Sequence, residues 1–134
     1  MNMTILKIVP GHTPEIISVP HTLEEMQSIV GGSIEAIYPF SDPVAIVCNE
    51  EGKLMGLEPN RALYHPETTE LIDIICGTFF LCGLTEEDFG SLDEKYLNHY
   101  YRVFECPEVF LWNGNNIVVL KSLSKKRTIA GDYS

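Results

Sequence analysis

The chain has 134 residues, the length of one ordinary domain, and its composition excludes several classes of protein. Hydrophobic residues make up 45% of it and charged residues 21%, values that argue against disordered, collagen-like and coiled-coil proteins. No apolar run reaches the roughly 18 residues of a membrane helix, and the first residues lack the basic and then apolar pattern of a signal peptide. We therefore expect a soluble, cytoplasmic protein.

Charge is distributed unevenly along the chain. Residues 1–120 contain 18 carboxylates and five lysines or arginines, a net charge of −13, whereas residues 121–134 contain four basic residues and one acidic residue, a net charge of +3. Because nucleic-acid binding depends on basic side chains that neutralise phosphates, we expect no direct nucleic-acid binding by residues 1–120. We interpret residues 1–120 as a single domain and residues 121–134 as a mobile basic tail. The acidic surface serves either solubility or a basic partner.

Apolar, β-branched runs bounded by turn residues predict most of the strands. Residues 44–48 and 53–57 are interpreted as a hairpin whose turn, 49–52, uses a positive φ at Gly52. Asn113-Gly114 predicts a second hairpin, with a type I′ turn. The remaining predicted strands are residues 5–9, 16–19, 34–38 and 71–82, the last broken at 77–78.

Capping signals predict two or three helices. Thr22 and Glu25 form a capping box, and the glycines at 31–32 end that helix. Thr85 and Ser91 also resemble helix starts. The helix after Ser91 has an amphipathic pattern, carried by Leu92, Tyr96, Leu97, Tyr100, Val103 and Phe104, whereas the helix after Thr22 buries Leu23, Met26, Ile29 and Val30. The fold class is therefore α+β, with a largely antiparallel sheet and two or three packed helices.

No motif in the chain indicates a metal, a cofactor or an enzymatic reaction. The four cysteines lack Cys-x-x-Cys spacing, and we interpret those in apolar runs as buried thiols. The histidines form no pair at metal-binding spacing. Four carboxylates are candidates for an acid–base pair and are interpreted as solvated side chains: Asp42, Glu50, Glu51 and Asp73. We expect a protein that is not an enzyme.

One basic and polar group stands out in this acidic chain and predicts a ligand-binding site. Its members are Arg61, Asn60, Tyr38, Phe40, Asn49 and Lys53. A guanidinium suits phosphate, aromatic rings stack on bases, and an amide reads a base edge or a ribose hydroxyl. The alternative is that Arg61 forms an ion pair with Glu58 or Glu51 while the aromatic rings belong to the core.

Five segments occur together and in order along the chain: residues 30–40 (VGGSIEAIYPF), 46–54 (IVCNEEGKL), 56–63 (GLEPNRAL), 73–83 (DIICGTFFLCG) and 86–89 (EEDF). As a set they resemble a family of uncharacterised small domains carried by bacteriophages and conjugative elements of Firmicutes and other gut bacteria. The resemblance spans residues 4–112 and implies an accessory gene of a mobile element, with counter-defence as its commonest expected role.

Two functions follow from these patterns. The leading one is a sponge, a non-enzymatic protein that sequesters a nucleotide-derived immune signal in a pocket around Arg61. In that case Arg61→Ala abolishes ligand binding and leaves the melting temperature nearly unchanged. The alternative is an acidic mimic of nucleic acid that inhibits a host nuclease, restriction enzyme or CRISPR effector. A structural or regulatory phage component is a third possibility, and the sequence is compatible with a homo-oligomer.

Overall fold

The computed structural model describes residues 1–122, and the side chains of residues 1–120. In chain order the elements are β1 (Asn2–Ile8), β2 (Glu15–Pro20), α1 (Leu23–Val30), β3 (Ile34–Ile37), β4 (Val44–Asn49), β5 (Pro59–Tyr64), β6 (Leu71–Cys76), β7 (Phe79–Leu84), β8 (Phe89–Gly90), α2 (Glu94–Val103), β9 (Glu108–Asn113) and β10 (Asn116–Ser122). The predicted basic tail therefore falls outside the described residues, apart from the end of β10.

The central sheet is antiparallel, with strand order β2-β1-β7-β4-β3 and with β8 added beside β7. Two further antiparallel hairpins, β5–β6 and β9–β10, form separate two-stranded sheets. The described residues thus form a mostly antiparallel α+β domain, as the sequence predicts, although sheet dominates over helix. None of the described helices has the length and apolar character needed to cross a bilayer.

The inner strands of the central sheet, β1, β4 and β7, are buried on both faces, so successive residues enter two different clusters. In β1, Ile5 packs in the cluster that contains α1, whereas Leu6 packs in the cluster that contains α2 and the β5–β6 hairpin. Phe79 and Phe80 of β7 divide in the same way. Because side chains alternate across a strand, one continuous apolar run serves both layers.

The two helices begin where local capping dictates. Thr22 Oγ1 accepts a hydrogen bond from the Glu25 backbone N–H at 3.1 Å, and Gly31 ends α1 with φ 81°. Leu23 is exposed rather than part of the buried face of α1. In α2 the cap is Asp93, because the Ser91 hydroxyl instead accepts a hydrogen bond from the Thr4 N–H.

The face of α2 predicted to be buried is largely confirmed. Leu92, Leu97, Tyr100 and Phe104 are all buried, and Tyr96 packs against them from a partly exposed position. Val103 is half exposed, so it lies outside this face. The Tyr100 hydroxyl donates a 2.7 Å hydrogen bond to Asp42, which ties α2 to the link between β3 and β4.

The predicted hairpin of residues 44–57 is wrong. Strand β4 pairs with β3 on one side and β7 on the other, so residues 53–57 have no edge to join and instead form turns. Positive φ occurs at Gly56, not at Gly52. Gly52 is required for a different reason, because a Cβ there would lie 2.6 Å from the Cys76 carbonyl oxygen.

Two other local predictions need correction. Thr85 begins a turn rather than a helix, because its hydroxyl donates to the Asp88 carbonyl at 2.8 Å and accepts from the Asp88 N–H at 3.0 Å. The last hairpin forms, but Asn113 pairs with Asn116, so the loop is Gly114-Asn115. Only the first of these two has positive φ, which is the φ pattern of a type II′ turn rather than I′.

Candidate functional site

Arg61 lies in the interior, where main-chain oxygens surround its guanidinium. The residue is 1% exposed. Its Nε and Nη2 donate to the Phe104 carbonyl at 3.1 and 2.9 Å, and Nη2 also donates to the His12 carbonyl at 2.6 Å. Nη1 donates to the carbonyl and the side-chain oxygen of Asn60, at 3.2 and 2.9 Å. These five hydrogen bonds match the five N–H donors of a guanidinium.

The position of Arg61 explains how α2 ends. Phe104 is the residue after α2, and its carbonyl is among those that a helix leaves without a partner. A guanidinium at that end satisfies the carbonyl and carries the charge that a helix C-terminus favours. Burial lowers the pKa of Arg61, and the negative charge of Glu108 opposes that shift. Arg61 therefore joins β5, the β1–β2 loop and the end of α2.

The six predicted site residues do not come together in one pocket. Asn60 is buried beside Arg61 and donates to the Ile8 and Gly77 carbonyls, both at 2.9 Å. Phe40 is partly buried and packs on the core residue Tyr100, with ring centroids 4.5 Å apart, whereas Tyr38 is 59% exposed. The structure thus separates Phe40, Tyr38, Asn49 and Lys53 from the buried pair Asn60 and Arg61. Ligand binding by Arg61 stays a prediction, and a ligand would have to displace carbonyl oxygens to reach it.

The remaining two predicted residues, Asn49 and Lys53, line a different cavity, which we call the acidic cleft. It has a volume of about 250 Å³ and lies between the β3–β4 edge, the turn after β4, and β6. Its charged lining residues are Glu35, Glu50, Glu51, Asp73 and Lys53, and its other lining residues include Cys48, Asn49 and Cys76.

Local contacts hold the rim of the acidic cleft in place. Asn49 is buried, donates to the Val30 carbonyl at 3.1 Å and accepts from the Glu51 N–H at 2.7 Å, so it fixes the turn to the end of α1. The Lys53 ammonium forms an ion pair with Asp73 across the opening, and both side chains are about half exposed. Three carboxylates thus remain without a basic neighbour inside the cleft lining.

Burial and nearby charges shift the pKa values of two thiols in the lining of the acidic cleft. Burial, followed by the charges of Glu35 and Asp73, raises the pKa of Cys48 to about 11. Burial also raises the pKa of Cys76, against an opposing effect of Lys53. Thiols with raised pKa values are protonated at neutral pH and are poor nucleophiles. Among the described residues, no three His, Cys, Asp or Glu side chains converge in a metal-binding arrangement.

The sequence predicts only part of this cleft. It indicates solvated side chains at Glu50, Glu51 and Asp73, and also at Asp42, which instead accepts from Tyr100. No sequence pattern singles out Glu35. Its signal is positional, because the β3–β4 register places Glu35 opposite Cys48, but that register is visible only once the strands are paired.

The fold and the cleft together define a small α+β domain with a negatively charged cavity at one edge of its central sheet. Residues 3–105 match the family described as Domain of unknown function (DUF3846), and they are 103 of the 134 residues. The protein belongs to this family, in agreement with the resemblance to an uncharacterised domain. The β9–β10 hairpin lies beyond the matched residues. No curated protein and no solved structure matches the chain.

Proposed function

We propose that the protein is a non-enzymatic binding protein of a bacteriophage or conjugative element. In this proposal it acts in counter-defence by docking against a basic surface of a host nucleic-acid-binding protein. The observation that carries the proposal is the acidic cleft, where four carboxylates face a single ammonium. The mobile-element origin rests on the resemblance of the sequence segments described above.

The electrostatics of the surface favour a cationic partner. Residues 1–120 carry a net charge of −13, and one of their five basic residues, Arg61, is buried. A second, Lys53, is already paired with Asp73. The unpaired carboxylates of the cleft attract arginine or lysine side chains and repel phosphates, because like charges in a partly enclosed cavity are poorly screened.

The sponge hypothesis has less support from the same geometry. A nucleotide-derived signal carries phosphates, which need cationic or N–H donors in an accessible pocket. All five donors of Arg61 are used inside the domain. The acidic cleft, which does contain Asn49 and Lys53, has the wrong overall charge for a phosphate.

The raised pKa values of the buried thiols make them poor nucleophiles. Burial, reinforced by Asp88, raises the pKa of Cys82 to about 12, and Cys48 has a pKa of about 11. At neutral pH both are neutral side chains that contribute packing. The Tyr100 hydroxyl has a raised pKa through burial and its hydrogen bond to Asp42, so it too stays protonated.

Binding of a fluorescent oligoarginine peptide, followed by anisotropy at increasing salt, tests the proposal. We expect affinity that falls steeply with ionic strength and that is about tenfold weaker in the double variant Glu50→Gln, Glu51→Gln. The matched control is Glu86→Gln, Glu87→Gln, which removes the same charge from the exposed turn before β8. An equal loss in both variants would show that only net charge matters and would refute the role of the cleft.

A second measurement addresses the biological partner. We expect the protein to slow DNA cleavage by a restriction endonuclease of a bacterial host, with Glu50→Gln, Glu51→Gln less effective than Glu86→Gln, Glu87→Gln. Calorimetry with cyclic dinucleotides runs alongside it. Tight nucleotide binding that Arg61→Lys weakens, without any effect on the nuclease, would favour the sponge and overturn the proposal.

A further inference from the structure

Strand β3 ends the central sheet on the side of the acidic cleft. Within residues 1–122 it pairs with β4 and with no other strand. Two of its side chains, Glu35 and Ile37, line the acidic cleft, and Glu35 is exposed. The free edge of β3 and the carboxylates of the acidic cleft therefore belong to one continuous surface.

The pairing of β3 with β4 shows which backbone groups of β3 point outward. The Glu50 N–H donates to the Ser33 carbonyl at 2.8 Å, in the same register as the β3–β4 ladder. Because the direction of bonding alternates along an antiparallel strand, Glu35 bonds to β4, whereas Ile34 and Ala36 direct their N–H and carbonyl groups away from it. The edge thus offers two donors and two acceptors to an added strand.

We propose that the partner of the acidic cleft supplies an extended segment that pairs antiparallel with β3 and carries arginine or lysine at alternate positions. The inference rests on the basic partner proposed above and specifies how that partner binds. It commits to a basic segment because Glu35 is the one charged side chain of β3 and like charges directly opposite one another in a sheet are destabilising. A second copy of this chain fits less well, because it brings its own Glu35 to the same edge.

The outward-pointing groups determine which side chains of the added segment reach the cleft. A segment residue opposite Glu35 forms a pair without mutual hydrogen bonds, in which the two Cβ atoms are about 4.5–5.5 Å apart. Its side chain lies on the same face as that of Glu35, toward the acidic cleft. Segment residues opposite Ile34 and Ala36 form the hydrogen bonds, and their side chains lie on the other face, where Ile34 packs beside α1. Basic side chains are therefore needed only at every second position.

The size of the acidic cleft suits a side chain better than a whole ligand. Its volume of about 250 Å³ is below the roughly 300–1,000 Å³ of small-molecule pockets. Glu50 and Glu51 directly follow β4, so a basic side chain that enters beside Glu35 meets further carboxylates in the same cleft. In strand addition, backbone hydrogen bonds supply affinity and alternate side chains supply selectivity.

Fluorescence anisotropy with two labelled peptides of equal charge tests the pairing. In the peptide Arg-Val-Arg-Val-Arg the central arginine lies opposite Glu35 and the two valines lie opposite Ala36 and Ile34. The rearranged peptide Arg-Arg-Arg-Val-Val has the same composition without the alternation. We expect the alternating peptide to bind about tenfold or more tightly than the rearranged one.

Backbone methylation of the alternating peptide identifies its hydrogen-bonding residues. Methylating the nitrogens of both valines should remove the advantage of this peptide, because those two N–H groups donate to β3. The matched control methylates the nitrogens of the central and last arginines, whose N–H groups point away from β3, and should bind as the unmodified peptide does. Equal losses, a larger loss in the arginine set, or equal affinity of the alternating and rearranged peptides would overturn the proposal.

The variant Ala36→Pro tests the same edge from the side of the protein. Proline removes the outward N–H of Ala36 and leaves the β3–β4 hydrogen bonds in place, because an edge strand tolerates proline where its N–H faces solvent. We expect Ala36→Pro to bind the alternating peptide no better than the rearranged one, whereas Ala36→Ser, which keeps the N–H, binds as the wild type does. Wild-type affinity in a folded Ala36→Pro would overturn the proposal, and the methylated peptides decide the question by themselves if this variant does not fold.

The variant Glu50→Gln, Glu51→Gln separates a failure of strand pairing from a failure of the proposed function. If it weakens binding of both peptides while the position of methylation has no effect, the cleft binds basic partners without β3, and only the strand pairing is refuted. If neither peptide responds to the loss of these two charges, the proposed function is refuted as well.

Discussion

Replacing Arg61 with alanine is the most informative perturbation of this fold. The substitution removes the donors to two buried oxygens, the Phe104 carbonyl at the end of α2 and the side-chain oxygen of Asn60. It also removes the donor to the partly buried His12 carbonyl in the β1–β2 loop. Each buried acceptor left without a partner costs about 1–3 kcal/mol, so two of them give about 2–6 kcal/mol. Domains of this size are stable by about 5–15 kcal/mol in total, so the loss is a large fraction of the free energy of unfolding.

Urea unfolding followed by circular dichroism measures this free energy directly. Arg61→Lys should recover only part of the lost free energy, because an ammonium cannot reproduce the paired donation from Nε and Nη2 to the Phe104 carbonyl. The control is Arg102→Ala, an exposed arginine in the last turn of α2, for which we expect a change within about 0.5 kcal/mol. A loss below about 1 kcal/mol for Arg61→Ala would refute the buried, fully bonded guanidinium and return Arg61 to the role of ligand anchor.

Three further variants test other parts of the structure. Burial raises the pKa of Glu108 above its value of about 4.3 in the unfolded chain, so ionised Glu108 lowers the stability of the fold. As the pH rises from that value through the folded pKa, the free energy of unfolding of Glu108→Gln should increase relative to that of the wild type. A difference that stays constant with pH would contradict this. Tyr100→Phe should lower the free energy of unfolding by about 0.5–1.5 kcal/mol through loss of the hydrogen bond to Asp42, with Asp42→Ala adding little to it in a double-mutant cycle. Gly83→Ala should cost about 1–3 kcal/mol, because its Cβ would overlap the Ser91 carbonyl oxygen, and a neutral effect in thermal unfolding would show that Ser91 does not lie against Gly83.

The parts of the fold that were predictable from sequence are those governed by local rules. Continuous apolar, β-branched runs identified the strands that became β1, β4 and β7, and the capping box at Thr22 marked the start of α1. The buried face of α2 followed from its helical periodicity. Each of these signals lies within about ten neighbouring residues, so no knowledge of distant contacts was needed.

The parts that were not predictable depend on partners far along the chain. Residues 53–57 have a strand-like pattern, yet β4 is already paired on both sides by strands that the pattern does not specify. The polar residues of Thr85–Asp88 suit a helix start and a tight turn equally well, because the same hydroxyl serves both. Arg61 is bound by main-chain carbonyls, which every residue carries, so the sequence contains no mark of its partners at residues 12 and 104.

The position of β7 has a consequence for the order in which the protein folds during synthesis. Strand β7 lies between β1 and β4 in the sheet, but it follows both in the chain, and Leu6 of β1 pairs with Leu81. A nascent chain therefore holds the β1–β2 and β3–β4 pairs as two hairpins that cannot join until residues 79–84 emerge from the ribosome. At about 5–20 residues per second, the apolar edges of β1 and β4 wait for several seconds before the strand that closes the sheet arrives. In that interval they are templates for intermolecular pairing, so chaperone demand should be greatest for chains stalled just before residue 79.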